Sequence, residues 1–276
     1  MIGGAALAFA DIVWAERAVR IEFAWVGVVQ PGAPVVVFLH EGLGSRAMWK
    51  GFPDQLCTAL GARGLVFSRP GYGQSTPRPP GEVWGPDFLH QQAFEVLPAF
   101  FQAIGFSPAA QPTVLFGHSD GGSIALLHAA RHSADFAATV VLAPHLFVED
   151  LSVLNIERAR QAYVDGDLKR GLAKYHDDPD SAFWGWNQVW LSPAFRAWNI
   201  EAEIAGIGHP LLAVQGLDDE YGTLAQIRHI VPRVPQAQLL ELPACGHSPQ
   251  RDQPAAVVAA VQALLRGQPG FSIPSA

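Results

Sequence analysis

The sequence VLFGHSDGG, residues 114–122, joins an apolar strand to a small-residue helix that begins near Ser123. Gly117 and Gly121 lie two residues before and two residues after Ser119, in the pattern G-x-S-x-G. In a sharp turn from strand to helix, a Cβ atom at either glycine would collide with the neighbouring backbone. Such a turn lifts the hydroxyl group of Ser119 out of the edge of the sheet.

Strand and helix patterns alternate on both sides of this turn. Residues 9–16 and 20–27 predict an antiparallel pair of strands that opens the fold. Further strands are predicted at residues 35–39, 65–68, 114–116, 139–143, 211–215 and 239–242. Because helical patterns separate most of these runs, we expect an α/β fold with a mostly parallel sheet of about eight strands and helices on both faces. Ligands then bind outside the carboxyl ends of the strands.

The strand pattern pauses between residues 147 and 208, which hold only helical patterns. We predict that this segment is a helical cap inserted into a core formed by residues 1–146 and 209–276. Its aromatic side chains include Trp184, Trp186 and Trp190. A small helical insertion cannot bury many rings by itself, so some of these tryptophans are expected to roof a pocket and contact an apolar substrate.

The composition excludes several classes of partner. Apolar residues make up 49% of the chain and charged residues 16%, which is typical of a globular protein with a large core. The net charge is −7 and no basic cluster interleaves with aromatic residues, so neither nucleic acid nor an anionic membrane is an expected partner. The apolar stretch at residues 1–10 has no basic residues before it and is too short to cross a bilayer. We therefore expect a cytoplasmic protein.

No cofactor or metal ion is predicted. Cys57 and Cys245 lie far apart, without the spacing of metal ligands or of a disulfide framework. The chain also lacks a Walker-type phosphate loop. We expect a small molecule as the substrate, and the sequence leaves the oligomeric state open.

A serine hydroxyl is a poor nucleophile at neutral pH, so it needs a base, and the base needs a group that orients it. Candidates follow two later strands. The strand at 211–215 is followed by Gly216, Leu217, Asp218 and Asp219, and the strand at 239–242 leads to Gly246 and His247. Parallel strands end at one edge of a sheet, so these groups are expected near Ser119.

These segments resemble the α/β-hydrolase superfamily over about residues 35–265. The turn around Ser119 resembles the nucleophile elbow of the family, and residues 216–219 resemble its G-x-x-D acid turn. Residues 246–247 resemble its base loop, and residues 68–75 resemble its R-P-G-Y-G-x-S turn. The resemblance implies a serine hydrolase with a helical cap, of the esterase, biphenyl-hydrolase-like or enol-lactonase type.

The same resemblance assigns roles to single residues. It implies that Ser119 is the nucleophile, that His247 is the general base and acid, and that Asp219 is the orienting carboxylate. Asp218 is the alternative carboxylate on the same turn, and the glycine offset of the family favours Asp219.

Two backbone N–H groups normally stabilise the oxyanion in such enzymes. The resemblance implies that one belongs to Asp120, the residue after the nucleophile. The second comes from the loop after the third strand, where the family usually has H-G-x-G and this chain has His40-Glu41-Gly42-Leu43-Gly44. Aligned on the histidine, Gly42 supplies the second donor, and Leu43 is the alternative.

Further side chains near this site are candidates for substrate contact. The carboxylates of Glu41 and Asp120 either rigidify their loops through hydrogen bonds to amides or, as the same elbow in biphenyl-hydrolase-like enzymes implies, hold an ammonium group of the substrate. Leu43 and His145 are also expected at the pocket, because His145 follows the strand that leads into the cap. We interpret His118 as a packing residue.

Three hypotheses of function remain. The leading one is a serine hydrolase that cleaves a small, largely apolar carboxylic ester, thioester or lactone through an acyl-enzyme. An alternative is a hydrolase that cleaves a carbon–carbon bond in ring-fission products, although such enzymes typically show H-G-x-G-P-G in the oxyanion loop. A third, from another class, is a ligand-binding receptor that retains the fold.

Overall fold

The computed structural model describes residues 6–28, 30, 32–271 and 273. The strands in this part of the chain are β1 (Ala8–Trp14), β2 (Arg17–Gly27), β3 (Val35–Leu39), β4 (Arg63–Phe67), β5 (Thr113–His118), β6 (Ala138–Leu142), β7 (Leu211–Gly216) and β8 (Ala237–Leu242). They form one sheet in the order β1-β2-β4-β3-β5-β6-β7-β8. The pairs β1–β2 and β2–β4 are antiparallel, and the other neighbouring pairs are parallel. The predicted α/β class and mostly parallel sheet are confirmed.

The central strands are buried on both faces of the sheet. On β3, Val35, Val37 and Leu39 join one hydrophobic cluster, and Val36 and Phe38 join another. Side chains alternate between the two faces along a strand, so a strand covered on both sides needs apolar residues at every position. This explains why β3 reads as an unbroken apolar run.

Helices supply the cover on both faces. They are α1 (Phe52–Leu60), α2 (Phe88–Gln91), α3 (Leu97–Ala103), α4 (Asp120–Arg131), α5 (Asp150–Val164), α6 (Asp167–Leu172), α7 (Pro179–Trp190), α8 (Ala225–Arg228), α9 (Pro249–Asp252) and α10 (Pro254–Leu265). Side chains of α1 and α10 join the cluster that contains Phe38, and side chains of α2, α3 and α4 join the cluster that contains Val37. A π-helical turn at Gln92–Val96 connects α2 to α3.

Within the described ranges, no helix has both the length and the apolar character that a membrane span requires. Of the apolar N-terminal stretch, residues 1–5 lie outside the described residues, and residues 8–10 belong to β1.

The segment predicted as a cap contains α5, α6 and α7, and none of the eight strands described above falls within it. Helix α7 begins where Pro179 occupies its first turn and the carboxylate of Asp178 accepts the N–H of Ser181 at 2.9 Å. Phe147 and Asn199 form an isolated antiparallel bridge. This bridge pairs the first residue of the predicted cap with a residue nine positions before its last.

Candidate active site

Ser119 lies between the end of β5 and the first residue of α4, with φ 53° and ψ −120°. This conformation costs a non-glycine residue of the order of 1–3 kcal/mol, so the surrounding structure must hold it. The N–H of Ser119 donates to the carbonyl of Leu142 at 2.9 Å. A Cβ atom on Gly117 would lie 2.2 Å from the carbonyl oxygen of Gly121, and one on Gly121 would lie 2.0 Å from that of Leu39. The predicted steric requirement for glycine at both positions is confirmed.

Three side chains from three strand ends converge at this turn. Ser119 follows β5, Asp219 follows β7 and His247 follows β8. The Oγ of Ser119 lies 2.9 Å from Nε2 of His247, and Nδ1 of His247 lies 2.8 Å from Oδ1 of Asp219. Gly216 allows the two later loops to pack closely, because a Cβ atom there would lie 2.0 Å from the carbonyl oxygen of Cys245.

Asp218 and Asp219 have different surroundings although they are neighbours. Asp218 is exposed, whereas Asp219 is buried. Oδ1 of Asp219 also accepts the N–H of Tyr221 at 2.8 Å, and Oδ2 accepts Nε2 of Gln215 at 3.1 Å. These bonds orient the carboxylate of Asp219 toward the imidazole ring of His247, so the geometry favours Asp219 over Asp218 as its partner.

The imidazole of His247 and the carboxylate of Asp219 stabilise each other's charged forms. Burial alone would lower the pKa of His247, but the hydrogen bond and the negative charge of Asp219 outweigh it and raise this pKa above 6.5. Burial would likewise raise the pKa of Asp219, but the hydrogen bond with His247 lowers it below 3.8. Asp219 therefore stays ionised at neutral pH and favours the uptake of a proton by His247.

The loop predicted to hold the oxyanion follows β3, which pairs in parallel with β5 and so ends beside Ser119. Gly42, Leu43 and Asp120 line the same cavity as Ser119. Asp120 is the first residue of α4, where an N–H group has no carbonyl partner within the helix. A Cβ atom on Gly42 would lie 2.2 Å from Nε1 of Trp186, so glycine allows the cap to rest directly on this loop.

His40 holds the start of the oxyanion loop. Its Nε2 accepts the N–H of Arg69 at 3.0 Å, which leaves Nδ1 to donate to the carbonyl of Glu41 at 2.8 Å. Burial and the charge of Arg69 lower the pKa of His40 well below 6.5, so the ring keeps this neutral form.

Glu41 carries its carboxylate on the cavity wall, where Oε2 lies 3.4 Å from Nδ1 of His118. Burial opposes its ionisation, but the hydrogen bond and charge of His118 lower the pKa of Glu41 to about 2. Gly44 makes room for this carboxylate, because a Cβ atom there would lie 2.5 Å from Oε2. The contact with His118 supports the interpretation that Glu41 rigidifies its loop.

Asp120 connects the elbow to the cap. Its Oδ1 accepts Nε1 of Trp190 at 3.1 Å, and its Oδ2 lies 4.0 Å from Nη2 of Arg69. Burial raises the pKa of Asp120 to about 6, although the positive charge of Arg69 opposes the shift. These contacts support a rigidifying role that extends from the elbow to the cap.

A cavity of about 270 Å³ opens in front of Ser119. Of the predicted substrate contacts, those that line it are Glu41, Leu43, His145, Trp186 and Trp190. The expectation for Trp184 is wrong, because its side chain lines a separate surface hollow with Arg78 and Val83. On helix α7, positions 186 and 190 lie about 40° apart, whereas position 184 lies about 160° from 186, on the opposite side of the helix.

His145 lies beside His247 as a neutral ring. Its ring centroid lies 4.9 Å from that of Trp190 and 5.9 Å from that of His247. Burial and the charge of His247 lower the pKa of His145 to about 3. Its backbone N–H donates to Oγ of Ser123 at 3.1 Å, which anchors it behind helix α4.

The sequence analysis missed several wall residues of the cavity. Four of the missed residues come within four positions after Asp219 or His247: Glu220, Tyr221, Ser248 and Arg251. Their positions just after Asp219 and His247 are the signal that could have identified them. Ile156 of α5 also lines the cavity, and its place in a helical pattern gave no such signal.

Comparison with curated and solved proteins shows likeness over almost the whole chain. The chain is 24% identical to the 2-succinyl-6-hydroxy-2,4-cyclohexadiene-1-carboxylate synthase of Enterobacter sp. (strain 638), over 86% of this chain and 93% of that protein. A membrane phospholipase A described as a bacterial virulence factor superposes with a TM-score of 0.75 and 22% identity, over 96% of this chain and 87% of the other. A thermophilic esterase from Thermogutta terrifontis superposes with a TM-score of 0.70 and 19% identity, over 95% and 98%.

At these identities the two solved structures show a shared fold. The evidence for the family is a sequence match of its own: the model of the alpha/beta hydrolase family aligns with residues 36–261, from β3 into α10. That span includes the elbow, the acid turn and the base loop. This protein therefore belongs to the alpha/beta hydrolase family.

Proposed function

We propose that this protein is a serine hydrolase that cleaves a small, uncharged and largely apolar carboxylic ester, thioester or lactone through an acyl-enzyme. The observation that carries the proposal is the pair of hydrogen bonds from Ser119 to His247 and from His247 to Asp219. Ser119 and His247 also line the cavity below helix α7. Membership of the alpha/beta hydrolase family agrees with hydrolysis as the class of reaction.

In the first half of the reaction, Nε2 of His247 removes the proton from Oγ of Ser119 as that oxygen attacks the carbonyl carbon of the substrate. Asp219 stabilises the imidazolium that forms. Backbone N–H groups of Asp120 and Gly42 stabilise the negative charge on the carbonyl oxygen, and the positive end of the dipole of α4 adds to this effect.

In the second half, the imidazolium of His247 donates its proton to the leaving oxygen or sulfur as the bond to the carbonyl carbon breaks. The acyl group remains on Ser119. A water molecule then gives a proton to His247 and attacks the acyl-enzyme, and return of that proton to Oγ of Ser119 releases the acid.

The charges around the cavity disfavour an anionic substrate. The negatively charged groups on its wall are the carboxylates of Glu41, Asp120 and Glu220, and the positively charged side chain among the described lining residues is that of Arg251. An anionic substrate would be repelled by this excess of negative charge. The product for which the Enterobacter synthase is named carries a carboxylate, so the wall charges disfavour that chemistry here.

The contact between Ser119 and His247 also favours the enzyme hypothesis over the receptor hypothesis. A receptor has no need for a proton acceptor within hydrogen-bond distance of a serine hydroxyl. The distance of 2.9 Å, together with a carboxylate behind the imidazole ring, supports an activated nucleophile.

Labelling with a fluorophosphonate tests the proposal. The wild-type protein should be labelled at Ser119, and Ser119→Ala should abolish labelling. Ser248→Ala removes the hydroxyl group that follows His247 on the same wall and should keep the label. Labelling that persists in Ser119→Ala would refute the assignment of the nucleophile.

A substrate panel then defines the chemistry. We expect turnover of p-nitrophenyl butyrate, a butyryl thioester or a small lactone, with loss in Ser119→Ala. If all three resist hydrolysis while a ring-fission product is cleaved, the protein is a carbon–carbon bond hydrolase.

A further inference from the structure

A second hollow adjoins the cavity in front of Ser119. It has a volume of about 500 Å³ and shares Glu41, Ser248 and Arg251 with the cavity as wall residues. Its other walls come from the start of α1 and the turn before it, from Tyr175, from α9 and from the first residue of α10. The residues on these walls include Met48, Trp49, Phe52, Tyr175, Gln250 and Pro254.

The position of the hollow relative to His247 indicates which part of a substrate it faces. The imidazolium donates its proton to the leaving oxygen or sulfur, so the leaving group lies on the His247 side of the attacked carbonyl. Ser248, Gln250 and Arg251 follow His247 in the chain, and all three line the hollow. The cavity wall on the cap side remains for the acyl group, and it consists of Ile156, Trp186 and Trp190.

We propose that this second hollow is the leaving-group subsite, and that it holds the alcohol or thiol part of the substrate as an elongated, uncharged and mainly apolar chain. The inference rests on the proposed function. It adds that two separate subsites select the substrate. The acyl group is recognised under the cap, and the leaving group is recognised beside α1.

The side chains of the hollow support an apolar occupant. Met48 and Pro254 present apolar surface to it, and the rings of Trp49 and Phe52 form part of the same wall. Phe52 and Trp49 are buried in the core beneath, so this wall is backed by packed side chains. Burial of each methylene group of a bound chain there raises kcat/KM by up to about fourfold.

The charged groups around the hollow already have partners within the protein. The carboxylate of Glu41 lies against His118. The ammonium group of Lys50 bonds the hydroxyl group of Tyr175 and lies 3.9 Å from the centroid of its ring. Nε of Arg251 lies 3.0 Å from Oδ1 of Asp252. Glu41 and Arg251 have ionisable partners and Lys50 is held by a tyrosine, so these contacts favour an uncharged chain.

Two series of esters test the division of the site. In the first, butyrate esters carry alcohols from methanol to octanol; in the second, methyl esters carry acyl groups from acetyl to octanoyl. For the wild-type protein, kcat/KM should rise with alcohol length in the first series. Met48→Trp fills the hollow and should lower the octyl-to-methyl ratio of kcat/KM at least tenfold, without a matching change in the acyl series. Ile156→Trp, in the cavity under the cap, should reduce the preference for long acyl groups instead.

The steps of catalysis provide a second readout. Because the alcohol has departed before deacylation, Met48→Trp should act on the acylation rate constant and not on the deacylation rate constant of the same acyl group. Gln55→Trp, at an exposed position on the rim, repeats the test if Met48→Trp fails to fold.

Two results would overturn the inference: a change in acyl-chain selectivity with Met48→Trp or Gln55→Trp, or no change in either series. These results leave ester hydrolysis and labelling of Ser119 intact. Failure of the proposed function itself would be visible earlier, as wild-type protein that hydrolyses no ester in either series.

Discussion

Nε2 of His118 donates a hydrogen bond of 2.6 Å to the main-chain carbonyl oxygen of His247, a residue 129 positions later in the chain. Because His118 directly precedes Ser119, this single contact ties the nucleophile elbow to the base loop. The other ring nitrogen lies 3.0 Å from the side-chain amide of Gln250. The packing role expected from sequence is too narrow, since this hydrogen bond also links the residue before Ser119 to the backbone of His247.

Replacing His118 tests this positioning role. His118→Phe removes the donor and leaves the carbonyl of His247 without this partner, so kcat should fall about tenfold or more with little change in KM. His118→Gln places an amide N–H near the position of Nε2 and should recover much of the loss. Steady-state kinetics, with thermal unfolding to check the fold, measure both. Equal losses in the two variants, or a change confined to KM, would contradict the role.

The pH profile of kcat/KM should show an ascending limb whose apparent pKa lies above 6.5. Acylation needs neutral His247, and Asp219 raises the pKa of that ring, so activity falls as pH drops through the raised value. Asp219→Asn removes the negative charge, which should move this limb to lower pH while kcat falls by about 10³–10⁴. Stopped-flow or steady-state rates between pH 5 and 9 provide the test. If the apparent pKa of the ascending limb is unchanged in Asp219→Asn, that limb reports the titration of a group other than His247.

The stability of the protein should depend on pH through Asp120. Burial raises its folded-state pKa to about 6, above the unfolded value of 3.8, so the contribution to stability is full at acid pH and is lost as pH rises through 6. Relative to Asp120→Asn, which keeps an oxygen for Trp190, the wild type should lose on the order of 2 kcal/mol of unfolding free energy between pH 4 and pH 7. Urea unfolding of both proteins at several pH values measures the difference. A constant difference across that range would rule the effect out.

The contact between the oxyanion loop and the cap should be sensitive to a single methyl group. In Gly42→Ala the new Cβ atom would lie 2.2 Å from Nε1 of Trp186, so the indole ring or the loop must move and kcat/KM should fall at least about tenfold. Trp186→Leu should make room, so the alanine should cost less in the double variant than in the wild-type background. A double-mutant cycle in kcat/KM measures this coupling. Additive effects would show that the loop and the ring do not press on each other.

The convergence of Ser119, Asp219 and His247 could be predicted because each residue follows a strand that its own apolar run reveals. Parallel strands bring their carboxyl ends to one edge, so order along the chain becomes proximity in space. The glycines of the elbow were predictable for a related reason. Their steric role depends only on atoms within the turn and on the adjacent strand.

Other features depend on information that local patterns do not carry. The assignment of Trp184 to the pocket was wrong because it lies on the opposite side of helix α7 from Trp186. The number of tryptophans in a segment does not show which side of the helix each one occupies. The contact of His118 with His247 joins segments more than a hundred residues apart. The partner of Asp120 likewise lies in the cap, at Trp190. Such pairings follow from how loops and cap meet in three dimensions.

The bridge between Phe147 and Asn199 has an evolutionary consequence, because it brings the first residue of the predicted insertion beside a residue near its other end. A segment whose end regions lie side by side can be exchanged between homologous genes without a change in the path of the chain through the sheet. The hydrogen bond from Trp190 to Asp120 restricts that exchange, since a transplanted segment without an indole at this place would leave a buried acid group with one partner fewer. Diversification by recombination should therefore preserve this pair, or replace both members together.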